Sequence, residues 1–244
     1  MFIHCYIYIM SFEKKILVFT ATYNESENIV TLIKQIKHTL PYSHILVIDD
    51  NSPDKTYEKI IELQDSIDNI FLNKRNGKLG LDTAHKEAYE FALKNDYDFL
   101  ITMDADLSHD PKELKNFISF LSDHPFVIGS RYTSGGKCLM RGRRLILSKY
   151  GNLVMKFLLR INSSEFTTSY RGFDLKKLNH FHLDLIDAKG YSFFMETVYR
   201  ISRLGFTIKE IPIIFKDREK GYSKIPKFEI FRTLKNLLIL SLKK

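Results

Sequence analysis

The feature that most constrains this chain is an alternation. Over the first 132 residues, short apolar, β-rich runs take turns with segments whose apolar residues fall at helical spacing. Runs at 15–22 (KILVFTAT), 44–50 (HILVIDD), 69–74 (NIFLNK), 98–104 (DFLITMD) and 126–132 (FVIGSRY) predict strands. Segments 26–40, 53–67, 83–95 and 111–123 predict helices; in the first, Ile29, Leu32, Ile33 and Ile36 share a face and Ser26 is the expected N-cap. A strand, a helix and another strand in succession make a βαβ unit. A series of them implies an α/β fold with a mostly parallel sheet and helices on both faces.

Open parallel sheets bind ligands beyond the carboxyl ends of their strands. Three predicted strand ends carry polar clusters: TYNE (22–25), DDNSPD (49–54) and DADLSHD (104–110). Parallel topology brings all three to one sheet edge. Asp104 and Asp106 follow a buried run and would repel each other unless they share a divalent cation, Mg²⁺ being a typical guest of one or two carboxylates plus phosphates. Taken alone, the pair reads rather as a polar turn ahead of the helix that Asp110–Pro111 starts. Beside the other two clusters, the metal reading is the better one, with His109 supporting the loop rather than ligating. Tyr23 offers a stacking face and Glu25 an acceptor for ribose or base, while of Asp49 and Asp50 one reads as a turn residue and the other as an acceptor for a base or sugar.

Beyond residue 135 the alternation stops. Segment 140–161 is basic and then amphipathic, with Ile146, Tyr150, Leu153, Phe157 and Ile161 on one face; 191–215 reads as a helix then a strand; 228–244 reads as a cationic amphipathic helix. Thirty-seven Lys and Arg against 29 Asp and Glu give a net charge of +8, which points to an anionic partner. Aromatic residues lie in core-like runs rather than through a basic stripe, which argues against nucleic acid. Cys5 and Cys138 form no disulfide framework or metal spacing, and a reducing cytosol is the simplest home. The apolar stretch MFIHCYIYIM is too short to span a bilayer, and no other run is long enough. There is no Walker loop, GxGxxG or nucleophile elbow.

TATYNESENI, VIDDNSPDKT, GKLGL, MDADLSHDP, GSRY and EIPIIFKDREKGYSK, in this order, resemble family-2 glycosyltransferases, and within them polyprenol (dolichol) phosphate mannosyltransferases. The resemblance implies a GT-A fold, Rossmann-like, over 16–226, after an N-terminal extension (1–15) and before a C-terminal amphipathic helix (227–244). It implies an inverting, metal-dependent transfer of a hexosyl group, mannose or glucose. The donor would be a nucleotide sugar of the GDP-mannose or UDP-glucose type, and the acceptor a polyprenyl phosphate. Ala21, Tyr23, Glu25, Ile48, Asp50, Asp104, Ala105, Arg218 and Lys224 would hold the donor. Asp106 and Ser108 would ligate Mg²⁺ or Mn²⁺. Arg131, Arg144 and Ser148 would meet the acceptor phosphate, with Asp104, Asp106 and Arg131 at the catalytic centre.

The expected setting is peripheral, at the cytoplasmic membrane face, with a separate membrane-anchoring partner as a further expectation. The family's usual DxTSGFR is here EFTTSYR (165–171), with Glu165 in the place of Asp. Two other readings stand beside this one: a family-2 enzyme acting on a saccharide hydroxyl, and a non-catalytic nucleotide-sugar binding protein.

Overall fold

The structure, a computed structural model, describes residues 14–216 and 229–243. Strand β1 (Ile16–Thr22) leads through α1 (Ile29–Thr39) to β2 (His44–Asp49), and α2 (Thr56–Gln64) leads to β3 (Ile70–Lys74). The chain then crosses by α3 (Leu81–Lys94) to β4 (Phe99–Thr102), and by a 3₁₀ turn and α4 (Leu114–Leu121) to β5 (Phe126–Ser130). After a short β6 (Lys137–Cys138) come α5 (Gly142–Leu159), β7 (Arg171–Asp174), α6 (Tyr191–Arg203), β8 (Ile208–Pro212), β9 (Ile214–Phe215) and α7 (Glu229–Leu242). All five expected strands and four expected helices of the first half are present, most of them shortened at their ends. Ser26 is not the N-cap of α1: the helix starts after Asn28, which makes no side-chain cap, and the Ser26 N–H is taken by Asp54.

The sheet order is β3-β2-β1-β4-β7-β5-β8. Its strands are parallel except β7, which runs antiparallel to both β4 and β5. Alternate residues of β1 face opposite cores: Leu17 and Phe19 pack with α3 and α6, while Val18 packs with α1, α2 and α4. The sequence pattern does not mark β7, because RGFD is short and bracketed by charges. Its glycine has a structural reason: a Cβ on Gly172 would lie 2.9 Å from Leu121 and 3.0 Å from Phe117, so α4 sits this close only over bare backbone.

The amphipathic pattern of α5 left open whether its apolar stripe packs inward or faces out, and the structure turns it outward. Ile146, Tyr150, Leu153 and Phe157 are exposed, Phe157 at 80%, whereas Asn152, Met155 and Leu159 face the core. Ile161 does not share that stripe; it lies past the helix end and is buried. Helix α7 packs against α5 and α6 through Leu237 and Leu240, and leaves Ile230, Phe231, Leu234 and Leu238 exposed.

Candidate active site

The carboxyl ends of β1 and β2 are stitched to each other. The buried Asp49 accepts hydrogen bonds from Thr22 Oγ1 (2.7 Å), Ser52 Oγ (2.6 Å) and the Ser52 N–H (2.8 Å). Ser52 Oγ in turn accepts the Asn24 N–H, and Thr56 Oγ1 accepts the Glu25 N–H, both at 3.0 Å. Burial disfavours the charge on Asp54, but donors from Thr56 and Ser26 outweigh it and hold this carboxyl below the ordinary range. Ala21 and Ile48 are register partners across the same strand pair. Tyr23 is half-buried, with Lys78 Nζ 4.1 Å from its ring centre.

Asp50 is buried beside them. It pairs with the buried Arg75 and accepts the Gly80 N–H at 3.2 Å, and Arg75 also donates to the Gly80 carbonyl and to Thr83 Oγ1. Both ends of the 75–80 loop are thus pinned to one carboxylate. Sequence reasoning did not find Arg75; a cation directly after a strand end was the available signal.

The end of β4 carries the acidic loop. Asp104 opens to solvent, its side chain 34% exposed, and its Oδ1 accepts from Ser169 Oγ at 2.5 Å. Asp106 is buried, and its Oδ1 accepts both the Ser108 N–H (3.1 Å) and Ser108 Oγ (2.5 Å). This Asx-type turn holds Leu107 at φ +62, a left-handed conformation that is costly for a bulky side chain. Ala105 is buried between the two carboxylates, and Ser108 is fully buried.

His109 fills the expected supporting position. Its Nδ1 accepts the Asp104 N–H at 3.1 Å, which leaves the proton on Nε2, 3.3 Å from Thr168 Oγ1. Burial lowers its pKa against the pull of Asp104 and Asp106, so the ring is neutral at neutral pH. Among the described residues no three His, Cys, Asp or Glu side chains cluster as a complete metal cage. Two carboxylates at alternate positions with one side open fit a hard divalent cation whose remaining ligands are phosphate and water oxygens.

On the far side of the loop lies Arg131. It donates through Nε and Nη2 to the two oxygens of the fully buried Glu165 (2.7 and 2.6 Å), and through Nη2 to Thr167 Oγ1 (2.7 Å). Burial alone would push the Glu165 carboxyl up, but the Arg131 charge and donors from Thr167 hold it below the ordinary carboxylate range. Ser148 on α5 accepts from Tyr132 Oη at 2.7 Å, and Arg144 lies exposed on the first turn of that helix. Arg218 and Lys224 lie outside the described residues. The last described residue before them, Lys216, gives its N–H to the Ser108 carbonyl (3.1 Å) and sets Nζ 3.6 Å from Asp110.

The structure therefore brings Ala21, Tyr23, Glu25, Ile48, Asp50, Asp104, Ala105, Asp106 and Ser108 to one sheet edge. Residues 165–169, between α5 and β7, join that edge to Arg131. Glu165 and Ser169 were not singled out from the residue pattern, which shows there only a polar stretch.

Residues 17–181 match the family described as Glycosyl transferase family 2. The chain is 37% identical over 215 residues to a polyprenol monophosphomannose synthase of Mycolicibacterium smegmatis, covering 87% of this chain and 81% of that protein. It is 34% identical over 212 residues to an undecaprenyl-phosphate mannosyltransferase of Micrococcus luteus, covering 86% and 87%. Among solved structures, the glucosyl-3-phosphoglycerate synthase of Mycobacterium tuberculosis, in complex with Mn²⁺, UDP and glucosyl-3-phosphoglycerate, superposes with a TM-score of 0.70 at 16% identity over 96% of this chain and 82% of that one. The same enzyme with Mg²⁺ and UDP gives 0.69 at 16% identity over 97% and 83%. That likeness is one of fold, and it is the GT-A fold. A doubly covered, mostly parallel sheet with an acidic loop at its carboxyl edge, a family match over two thirds of the sequence and relatives matched over more than four fifths of their length lead to one conclusion: the chain belongs to glycosyl transferase family 2.

Proposed function

We propose that this protein transfers a hexosyl group, mannose or glucose, from a nucleotide sugar of the GDP-mannose or UDP-glucose type to a polyprenyl phosphate, with inversion. The observation that carries the reading is the pair of relatives whose names specify polyprenyl phosphate mannosylation, each aligned over most of its length. The transferase unit is residues 16–226, with residues 227–244 appended, of which Glu229–Leu242 form α7.

Ala21, Tyr23, Glu25, Ile48 and Asp50 take the nucleoside. Asp50 is fixed by Arg75 and Gly80 before any base arrives, so its acceptor needs no reorganisation. Asp104 and Ala105 meet the ribose and diphosphate, and Arg218 and Lys224 close over the diphosphate. Asp106 and Ser108 hold Mg²⁺ or Mn²⁺; Ser108 can offer only a lone pair, since its proton goes to Asp106. The bound cation supplies charge neutralisation for the diphosphate. Arg131, Arg144 and Ser148 receive the acceptor phosphate. An oxygen of that phosphate attacks the anomeric carbon as the bond to the diphosphate oxygen breaks on the opposite face. The phosphate is already anionic at neutral pH, so no general base is needed.

No helix among the described residues is long and apolar enough to cross a membrane. The exposed apolar faces of α5 and α7, with Arg141, Arg143, Lys149 and Lys156 around them, suit a peripheral seat on an anionic bilayer at the cytoplasmic face. A separate anchoring partner would use the same faces.

The test is a panel of labelled nucleotide sugars with Mn²⁺ or Mg²⁺ and a short polyprenyl phosphate. Label entering the lipid phase supports the reading. Label found only on saccharide acceptors, or donor binding without turnover, overturns it.

A further inference from the structure

Residues 163–169 bridge the acidic loop and Arg131: Ser169 holds Asp104, Thr168 meets His109, and Glu165 holds Arg131. One buried side chain reaches this segment from α5. Asn152 is 1% exposed, and its Oδ1 accepts the Phe166 N–H at 2.7 Å. Its Nδ2 donates to the Ser148 carbonyl at 2.8 Å and approaches Thr167 Oγ1 at 3.5 Å.

Thr167 completes a relay. Its hydroxyl donates to Glu165 Oε1 at 3.1 Å and accepts from Arg131 Nη2 at 2.7 Å. An amide is the group this place requires. Met155 and Leu159 are the other buried side chains of α5, and an apolar residue at 152 would leave the Phe166 N–H buried without an acceptor. The opposite face of the same helix is the exposed apolar stripe through Ile146, Leu153 and Phe157. Asn152 is thus the joint between the helix presented outward and the segment that aims Arg131.

We propose that Asn152 is a positioning residue for the transfer step: it holds residues 165–167 in register with α5, and through Glu165 and Thr167 it sets the Arg131 guanidinium. The inference rests on the reading of Arg131 as an acceptor-phosphate residue. A bidentate fork tolerates little displacement, and a misplacement of about 1 Å at a reacting group costs about 100-fold in rate.

The test is Asn152→Leu, which keeps the branched heavy-atom skeleton without the amide, assayed for transfer to a short polyprenyl phosphate per folded enzyme, with UDP and GDP titrated separately in the presence of Mn²⁺. The expected result is a fall in kcat of about 10- to 100-fold with nucleotide affinity changed less than about twofold. Asn152→Gln, which keeps the amide, restores part of the rate. Thr167→Val cuts the relay at its other end and gives the same loss, and the two losses are not additive in the double variant. Wild-type kcat in Asn152→Leu, or an equal loss of nucleotide affinity, overturns the inference. Should Asn152→Leu fail to fold, Thr167→Val decides: an unchanged kcat refutes the relay. A wild-type protein that transfers nothing to polyprenyl phosphate sinks the functional reading and this inference with it. Normal wild-type transfer with unaffected variants sinks the inference alone.

Discussion

Replacing Glu165 by glutamine probes the packing and the chemistry together. The carboxylate is fully buried and receives Arg131 Nε and Nη2, the Thr167 N–H and hydroxyl, and the Thr168 N–H. Arg131, only 7% exposed, depends on it for counter-charge. Glutamine keeps the shape but removes the charge and turns one acceptor into a donor facing a guanidinium. Neutralising one member of a buried pair costs about 3–5 kcal/mol, because the other charge stays desolvated. At about 2–4 °C per kcal/mol for a chain of this size, Tm should fall by roughly 6–20 °C. Thermal unfolding by circular dichroism, with urea titration as a second measure, reads this directly.

The pH dependence carries the same signature. The folded pKa of Glu165 lies below the unfolded value, so its contribution is present above about pH 4.3 and lost as pH falls through the folded pKa. The variant should lack that part of the acid limb. Glu165→Asp draws the carboxylate back by about 1.5 Å, one C–C bond. The 2.7 and 2.6 Å contacts cannot both survive unless Arg131 follows, so a smaller loss of about 1–3 kcal/mol is expected. A Tm of Glu165→Gln within about 2 °C of wild type would refute the claim that this pair is a buried strut.

Asp106→Asn retains an oxygen for the Ser108 donors and should keep its fold, while metal-dependent transfer falls at least about 100-fold; unchanged turnover with Mn²⁺ would remove Asp106 from the metal site. His85 is buried among Phe19, Phe193 and Phe194, and burial, helped by the Arg171 charge, lowers its pKa to about 3. Its neutral form therefore stabilises the fold above the unfolded pKa of about 6.5, and that contribution drains away as pH falls toward about 3. His85→Phe should flatten the decline of Tm below about pH 6.5, and an unaltered slope counts against this assignment. Phe157→Asp, at an 80% exposed position, should leave Tm unchanged and weaken sedimentation with anionic vesicles by about 10- to 100-fold. Equal vesicle binding would mean that α5 does not face the lipid.

The βαβ frame was legible because its signals are local. Ile29, Leu32, Ile33 and Ile36 repeat at helical spacing and are all fully buried on α1, and the carboxyl ends of β1, β2 and β4 meet because parallel strands must put them there. The orientation of α5 was not legible, because amphipathicity has two meanings: the stripe of Ile146, Leu153 and Phe157 reads the same whether it faces a core or the outside. Only the position of α5 against residues 163–168, with Asn152, Met155 and Leu159 inward, decides which face is which.

The amino-acid sequence by itself determined the sheet class, the edge where chemistry gathers and the carboxylate pair at its centre. Each of these follows from periodicity and from the geometry of one strand end. Tertiary structure alone decided that β7 enters antiparallel between β4 and β5, that Arg75 pins Asp50, and that Glu165 and Ser169 reach back to Arg131 and Asp104. Those partners lie 25, 34 and 65 residues apart in the chain. A buried charge takes its meaning from whichever neutralising group the fold delivers beside it, and that pairing has no local signature.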